Sequence, residues 1–289
     1  MMQNQLNLFI DLIRIKKPIG FMLLFWPCAW GLTTAYNFNE NLEKYFWFLS
    51  LFLIGAILMR SAGCIINDIV DSDFDKKVER TKNRPIASGK ISKIKAFIYA
   101  MVLCGFAFLV LIQFNNFTIL MALLSMPLAF TYPLMKRYTY WPQLFLGITF
   151  NYGLVLAWIS ITNEISVVPI LFYFGAIFWT LGYDTIYGFQ DIKDDEIIGV
   201  KSASIKFKNE PKKILFFSYF IFLTSLFLVG ILMDFKTQYF LFLIVSTIHL
   251  ILQVKKLNIS LPNICLKIFK SNNLLGLIIL INIFIGKLY

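Results

Sequence analysis

The stretch FWFLSLFLIGAILMRSAGCIINDIVDSDFD, residues 46–75, decides the architecture of this chain. It is apolar for about 20 residues, the length that crosses a bilayer as a helix. It then runs directly into Asn67, Asp68, Asp71, Asp73 and Asp75. Carboxylates beside hydrocarbon are costly, and in a membrane chain they mark a functional site by default. A second burst, Asp184 followed by Asp191, Asp194 and Asp195, closes another apolar run. Two such clusters of hard oxygen donors point to divalent cations gripping a polyphosphate.

Outward from this stretch, apolar runs recur at about 19–36, 46–66, 96–113, 117–131, 144–161, 167–183, 214–233, 238–254 and 272–287. The 289 residues are 58% hydrophobic and only 15% charged, with a mean hydropathy of +0.72, whereas soluble domains carry about 25% charged residues. The expectation is an all-α polytopic membrane protein with nine transmembrane helices, one domain over residues 1–289. The pairs Asp71/Asp75 and Asp191/Asp195 hint at two loosely related halves.

The net charge of +11 is arranged by position. All but four of the 27 Lys and Arg residues (the exceptions are Lys44, Arg60, Lys236 and Lys287) fall in segments that alternate spanning would bring to one side. By the positive-inside rule the N-terminus and the acidic-basic loops are then cytoplasmic and the C-terminus lies across the membrane. Basicity therefore encodes topology, and nucleic acid is not expected as a partner. The first apolar run lacks the small-residue cleavage site of a signal peptide. The opening stretch does not read as an Arg- and Ser-rich mitochondrial transit peptide either, so a bacterial inner membrane with a periplasmic C-terminus is expected. Cys28, Cys64, Cys104 and Cys265 lack metal-binding spacing and read as buried small side chains. His249 lies inside an apolar run, away from both acidic clusters, which argues against histidine-based catalysis.

At about 100° per residue, Arg60, Asn67, Asp71 and Asp75 fall within about 80° of arc, one stripe of a helix. Asp184, Tyr187, Asp191 and Asp195 likewise fall within about 80° of arc, again one stripe. Each stripe aims two or three oxygen ligands at one place, and Mg²⁺ takes a few carboxylates while keeping phosphate oxygens and water. Arg60 lies inside an apolar run, where a central arginine costs at least about 2.5 kcal/mol, so it should face the bundle interior. Arg80–Thr81–Lys82–Asn83–Arg84–Pro85 follows the first cluster, and guanidinium groups bind phosphate oxygens bidentately. Tyr132, Lys136 and Arg137 add a phenol and two cations at the end of the run 117–131.

These residues also carry a resemblance. Asn67–Asp68–x–x–Asp71–x–x–x–Asp75, then Arg80–Thr81–x–x–Arg84–Pro85–Ile86–Ala87–Ser88–Gly89, is similar to the first signature of the UbiA superfamily of membrane prenyltransferases. Gly182–Tyr183–Asp184–Thr185–Ile186–Tyr187 through Asp191, with Asp194, Asp195 and Gly199–Val200–Lys201–Ser202, resembles the second. Tyr132–x–x–x–Lys136 matches the short motif between them. Arg14–Ile15–Lys16–Lys17–Pro18–Ile19–Gly20, Met59–Arg60–Ser61–Ala62–Gly63–Cys64 and Ser271–Asn272–Asn273 look like the branch that prenylates 4-hydroxybenzoate in ubiquinone synthesis. Gly188 stands where that branch is expected to have Ala; the metal-ligand positions show no departure.

The resemblance implies nine helices around a central cavity that opens laterally to lipid, under a polar cytoplasmic cap. It implies that Asn67, Asp71, Asp75, Asp191 and Asp195, with Asp184, bind Mg²⁺–diphosphate, and that Arg80, Arg84 and Lys136 contact phosphates. Tyr132, Tyr187 and Lys201 come with the motifs as substrate-binding positions, and Asp71, Asp191 and Lys136 as the catalytic core. The implied reaction moves a polyprenyl group from polyprenyl diphosphate to the ring carbon ortho to the hydroxyl of 4-hydroxybenzoate, releasing diphosphate. Arg14, Arg60 and Arg137 are all candidates for the acceptor carboxylate. Membrane lipid is a partner of the chain, and other enzymes of ubiquinone synthesis are compatible associates. Haem, dihydroxynaphthoate or homogentisate as acceptor is the alternative within the family. A cation-coupled transporter is the alternative outside it, but its site would sit at the bilayer midplane on broken helices.

Overall fold

The computed structural model describes residues 2–79 and 81–288, with side chains from residue 5 onward. Every regular element among them is helical. In chain order these are α1 (Met2–Ile13), α2 (Ile19–Ala35), α3 (Leu42–Asp75), α4 (Lys93–Leu111), α5 (Asn116–Thr131), a 3₁₀ turn (Tyr132–Leu134), α6 (Met135–Tyr138), α7 (Pro142–Thr162) and α8 (Val167–Gly188). Then follow α9 (Ile192–Ile198), α10 (Ala203–Lys206), α11 (Pro211–Leu232), α12 (Thr237–Lys256) and α13 (Pro262–Leu288).

Local chemistry starts the helices where expected. Asn41, Ser92 and Asn115 each accept a backbone N–H of the first turn, from Glu43, Lys95 and Thr118, and proline opens α7 and α11. Such caps satisfy donors that a helix start leaves orphaned. Asn163 ends α7 in the left-handed conformation, φ 57°.

Among the described residues eight helical stretches are long and apolar enough to cross a membrane, α5 with the 3₁₀ turn and α6 (Asn116–Tyr138) forming one of them, and α2, at 17 residues, is a shorter apolar helix. At 1.5 Å per residue α2 spans about 25 Å, the short end of what crosses hydrocarbon. The run 46–66 proves to be the middle of a 34-residue helix, α3. At about 51 Å it outreaches a hydrocarbon core of about 30 Å, so its last turns carry Asn67–Asp75 beyond the apolar layer. The run 272–287 likewise begins earlier: Lys267 and Lys270, expected in a loop, lie on α13. No long apolar run announces α1.

Large apolar side chains such as Phe97, Met101, Phe106, Leu124, Phe216 and Phe220 are exposed on the outside, as lipid rather than water requires. Inside, Trp30 of α2 stacks on Phe172, tilts against Trp179 and lies on Phe222. Its indole N–H donates to the Gly276 carbonyl of α13 at 2.9 Å. Asn272 accepts from Trp179 and Asn273 from Trp26, both at 2.9 Å. Gly31 admits α7: a Cβ there would meet the Leu154 carbonyl oxygen at 2.2 Å, the small-residue approach typical of helices packed in lipid.

Candidate active site

Three elements converge on the acidic end of α3. Asp68, Asp71 and Asp75 are 2%, 3% and 7% exposed, and each is met by a cation. Arg84, in the loop after α3, donates from one nitrogen to Asp68 at 3.1 Å and to Asp75 at 2.8 Å. Arg14, just past α1, pairs with the same Asp68 oxygen. Lys136 of α6 pairs with Asp71 through Oδ2. The other Asp71 oxygen, Oδ1, is buried without a hydrogen-bond partner. A buried carboxylate oxygen lacking a donor is costly in an apolar setting and fits a bound cation.

Helix α5 runs into the 3₁₀ turn over Tyr132–Leu134, with Pro133 near its start, and this swings α6 back over α3. Lys136 faces the acids, but Arg137 does not. Its guanidinium donates to the Val70 carbonyl at 2.9 Å and stacks over Phe74 at 5.3 Å on an exposed face. Lys201 ties the second acidic segment to this turn: its backbone N–H donates to the Lys136 carbonyl at 2.8 Å. The Lys201 ammonium donates to the Tyr138 carbonyl at 3.2 Å.

Beneath this polar end lies a cavity of about 280 Å³ between α2, α3, α4, α5 and α7. Phe52, Met59, Phe150 and Tyr132 line it, and Arg60 is the charged residue in its wall among the described residues. The Arg60 guanidinium lies over the Phe150 ring at 5.5 Å. Its Nε is buried without a partner. Gly20 makes the room: a Cβ there would stand 2.8 Å from Arg60 Nε. Arg60 thus faces the bundle interior, as a charge within a span should.

The second stripe needs correction. Asp184 and Tyr187 share α8, but α8 ends at Gly188 and α9 starts at Ile192. Asp191 is the residue before α9, with its carbonyl accepting from the Asp195 N–H at 2.9 Å. The break falls where α8 meets α10: a Cβ on Gly188 would stand 2.3 Å from Ser204 Oγ. Continuous helical spacing therefore does not relate Asp184 to Asp191 and Asp195. Nor do the acids form a ready-made metal cage: among the described residues no three His, Cys, Asp or Glu side chains gather to hold an ion by themselves. The acids of α3 are neutralised by arginine and lysine instead, and a metal would enter with phosphate oxygens completing its shell. Arg80 lies outside the described residues. Sequence spacing passed over Asp68, although it lies only about 20° round the helix from Asp75.

The model of the UbiA prenyltransferase family matches residues 24–282. The chain belongs to that family. Among relatives of this UbiA-family chain, a cattle protein (Bos taurus) described as "4-hydroxybenzoate polyprenyltransferase, mitochondrial" is 43% identical over 97% of the chain and 75% of its own length. A solved UbiA homolog from Aeropyrum pernix K1 shares the fold, with TM-score 0.74 and 23% identity over 92% of the chain and 98% of its own. A UbiA homolog from Archaeoglobus fulgidus, solved bound to GPP and Mg²⁺, has TM-score 0.69 and 16% identity over 97% of the chain and 99% of its own. These likenesses correct one expectation. The cattle, fly and human relatives are described as mitochondrial, so the assignment to a bacterial inner membrane, with its cytoplasmic and periplasmic sides, does not hold. A multi-pass membrane protein of the UbiA family stands.

Proposed function

We propose that this protein transfers a polyprenyl group from polyprenyl diphosphate to the ring carbon ortho to the hydroxyl of 4-hydroxybenzoate, releasing diphosphate, as a step of ubiquinone synthesis. The observation that carries the reading is an apolar cavity of about 280 Å³, with Arg60 and Tyr132 in its wall, on the same helix α3 whose end carries the acid and cation cluster. An apolar chain ending in a diphosphate has this division of chemistry. The 4-hydroxybenzoate polyprenyltransferase relative, 43% identical over nearly the whole chain, supports the acceptor. In this reading residues 1–289 work as one domain, α2 is the ninth span, and the loops after α3 and α8 cap the cavity.

Asn67, Asp71, Asp75, Asp191, Asp195 and Asp184 would hold Mg²⁺, which supplies Lewis-acid neutralisation of the leaving diphosphate when bound. The orphaned Asp71 Oδ1 supports that assignment. Arg84, Arg80 and Lys136 contact phosphate oxygens and stabilise the charge that builds as the allylic C–O bond breaks with its electron pair leaving on oxygen. Phe150 and Tyr132 offer ring faces to the allylic cation. A ring carbon of the phenol then forms the C–C bond, and the ring proton departs to a carboxylate or to the released diphosphate.

Of the three candidates for the acceptor carboxylate, Arg60 is favoured. Arg14 is paired with Asp68 and Arg137 is turned onto Val70 and Phe74, while Arg60 lines the cavity with an unpartnered Nε. The test is an assay of purified protein in nanodiscs with a prenyl diphosphate, 4-hydroxybenzoate and Mg²⁺, read by mass spectrometry. A prenylated 4-hydroxybenzoate that disappears with EDTA is expected. Turnover of haem, dihydroxynaphthoate or homogentisate instead would reassign the acceptor. Loss of all transfer would remove the reading.

A further inference from the structure

Asp68 is the most deeply buried carboxylate of the α3 stripe, 2% exposed, and its Oδ1 accepts from two guanidinium groups that arrive from different parts of the chain. One is Arg84, which also reaches Asp75. The other is Arg14, whose backbone is left-handed at φ 54°. A non-glycine residue in that region bears a cost of about 1 kcal/mol or more and persists where its surroundings hold it. The turn at Arg14 ends α1 and delivers its guanidinium to Asp68. Asp71 differs in kind: one of its oxygens is paired with lysine and the other has no donor.

We propose that Asp68 is a positioning residue for the diphosphate rather than a ligand for the metal. This rests on the prenyl-transfer reading above. Its two guanidinium partners converge on one oxygen, Oδ1, so the charge of Asp68 is already spent on holding arginine. Arginine carries about 2 kcal/mol of rotamer freedom, so a carboxylate that fixes Arg84 beforehand removes part of the entropic cost of gripping phosphate. Arg84 in turn joins α3 to the loop after it, and Arg14 joins α1 to the same point. The diphosphate grip is thereby assembled on one buried oxygen.

The test compares Asp68→Asn, Asp68→Glu and Asp71→Ala in the full-length protein in nanodiscs. Inorganic diphosphate binding with Mg²⁺ is measured by calorimetry, Mn²⁺ binding at saturating diphosphate by EPR, and turnover by steady-state kinetics with both substrates. Asp68→Asn should weaken diphosphate binding and raise KM for the prenyl diphosphate by about tenfold, as loss of a charge-assisted partner implies. Its Mn²⁺ affinity should stay within about twofold of wild type, whereas Asp71→Ala should lose Mn²⁺. Arg84→Lys should add little on top of Asp68→Asn, because the two act as one unit. Asp68→Glu keeps the charge and should recover part of the diphosphate affinity. If Asp68→Asn does not fold, Asp68→Glu with and without Arg84→Lys gives the same coupling. Loss of Mn²⁺ binding in the Asp68 variants would make it a metal ligand and overturn the proposal. A lower Tm with diphosphate affinity and KM intact, or additive losses with Arg84→Lys, would overturn it as well. Wild-type protein that binds no diphosphate would instead strike the prenyl-transfer reading itself.

Discussion

Lys136 and Asp71 neutralise one another across the gap between α6 and α3, 65 residues apart in sequence. The pair joins a cation assigned to phosphate with an acid assigned to metal. Under the proposed function each stands in for the other's ligand, and loading the site would exchange partners without leaving either charge uncovered.

That exchange makes a prediction about stability. Lys136→Met leaves a 3%-exposed carboxylate without its cation, an unpaired charge that costs several kcal/mol at full burial. The lysine is 26% exposed, and solvent screening reduces this to about 1–2 kcal/mol. Lys136→Met should lower Tm, and Lys136→Met/Asp71→Asn should restore it while remaining inactive. A double variant as unstable as the single would show that the pair is not the source of the loss.

Asp71→Ala and Asp191→Ala should each abolish transfer while the protein still folds and inserts, because each removes an oxygen ligand for diphosphate-bound metal. Near-normal turnover of either purified variant would refute the two-cluster assignment.

Arg84→Lys keeps the charge but loses the planar guanidinium, one nitrogen of which bridges Asp68 and Asp75 and whose remaining donors suit phosphate oxygens. The loss should be about tenfold or more in kcat and should extend to KM, since charge on the leaving diphosphate grows toward the transition state. A wild-type rate would reduce Arg84 to a topological charge.

Gly20→Ala places a methyl 2.8 Å from Arg60 Nε, against the far end of a flexible side chain. The fold should tolerate it and the guanidinium should move. KM for 4-hydroxybenzoate should rise by about tenfold with KM for the prenyl diphosphate little changed, the size of one charge-assisted hydrogen bond. Equal effects on both substrates would deny Arg60 its role with the acceptor carboxylate.

Single cysteines in the loops at 82–90 and 206–210 should label from the same side of sealed vesicles, and cysteines at 37–41 and 163–165 from the other, because lysine and arginine are gathered on one side. Labelling of both sets from one side would break the alternation of spans.

Much of this protein is legible without its tertiary structure. Lipid cannot satisfy backbone polar groups, so the spans had to be helices and had to be apolar for about 20 residues at a time. The stripe of Asn67, Asp71 and Asp75 on one helix and the inward turn of Arg60 follow from the same two rules, periodicity and the cost of charge in hydrocarbon. Local periodicity says nothing about partners. That Asp68 gathers Arg14 from 54 residues away and Arg84 from 16, that Arg137 turns aside onto Val70 while its neighbour Lys136 faces Asp71, and that α8 breaks before Asp191 were decided only by how the helices pack. A buried charge takes whichever opposite charge the fold brings within reach, and that reach is a property of the assembled bundle.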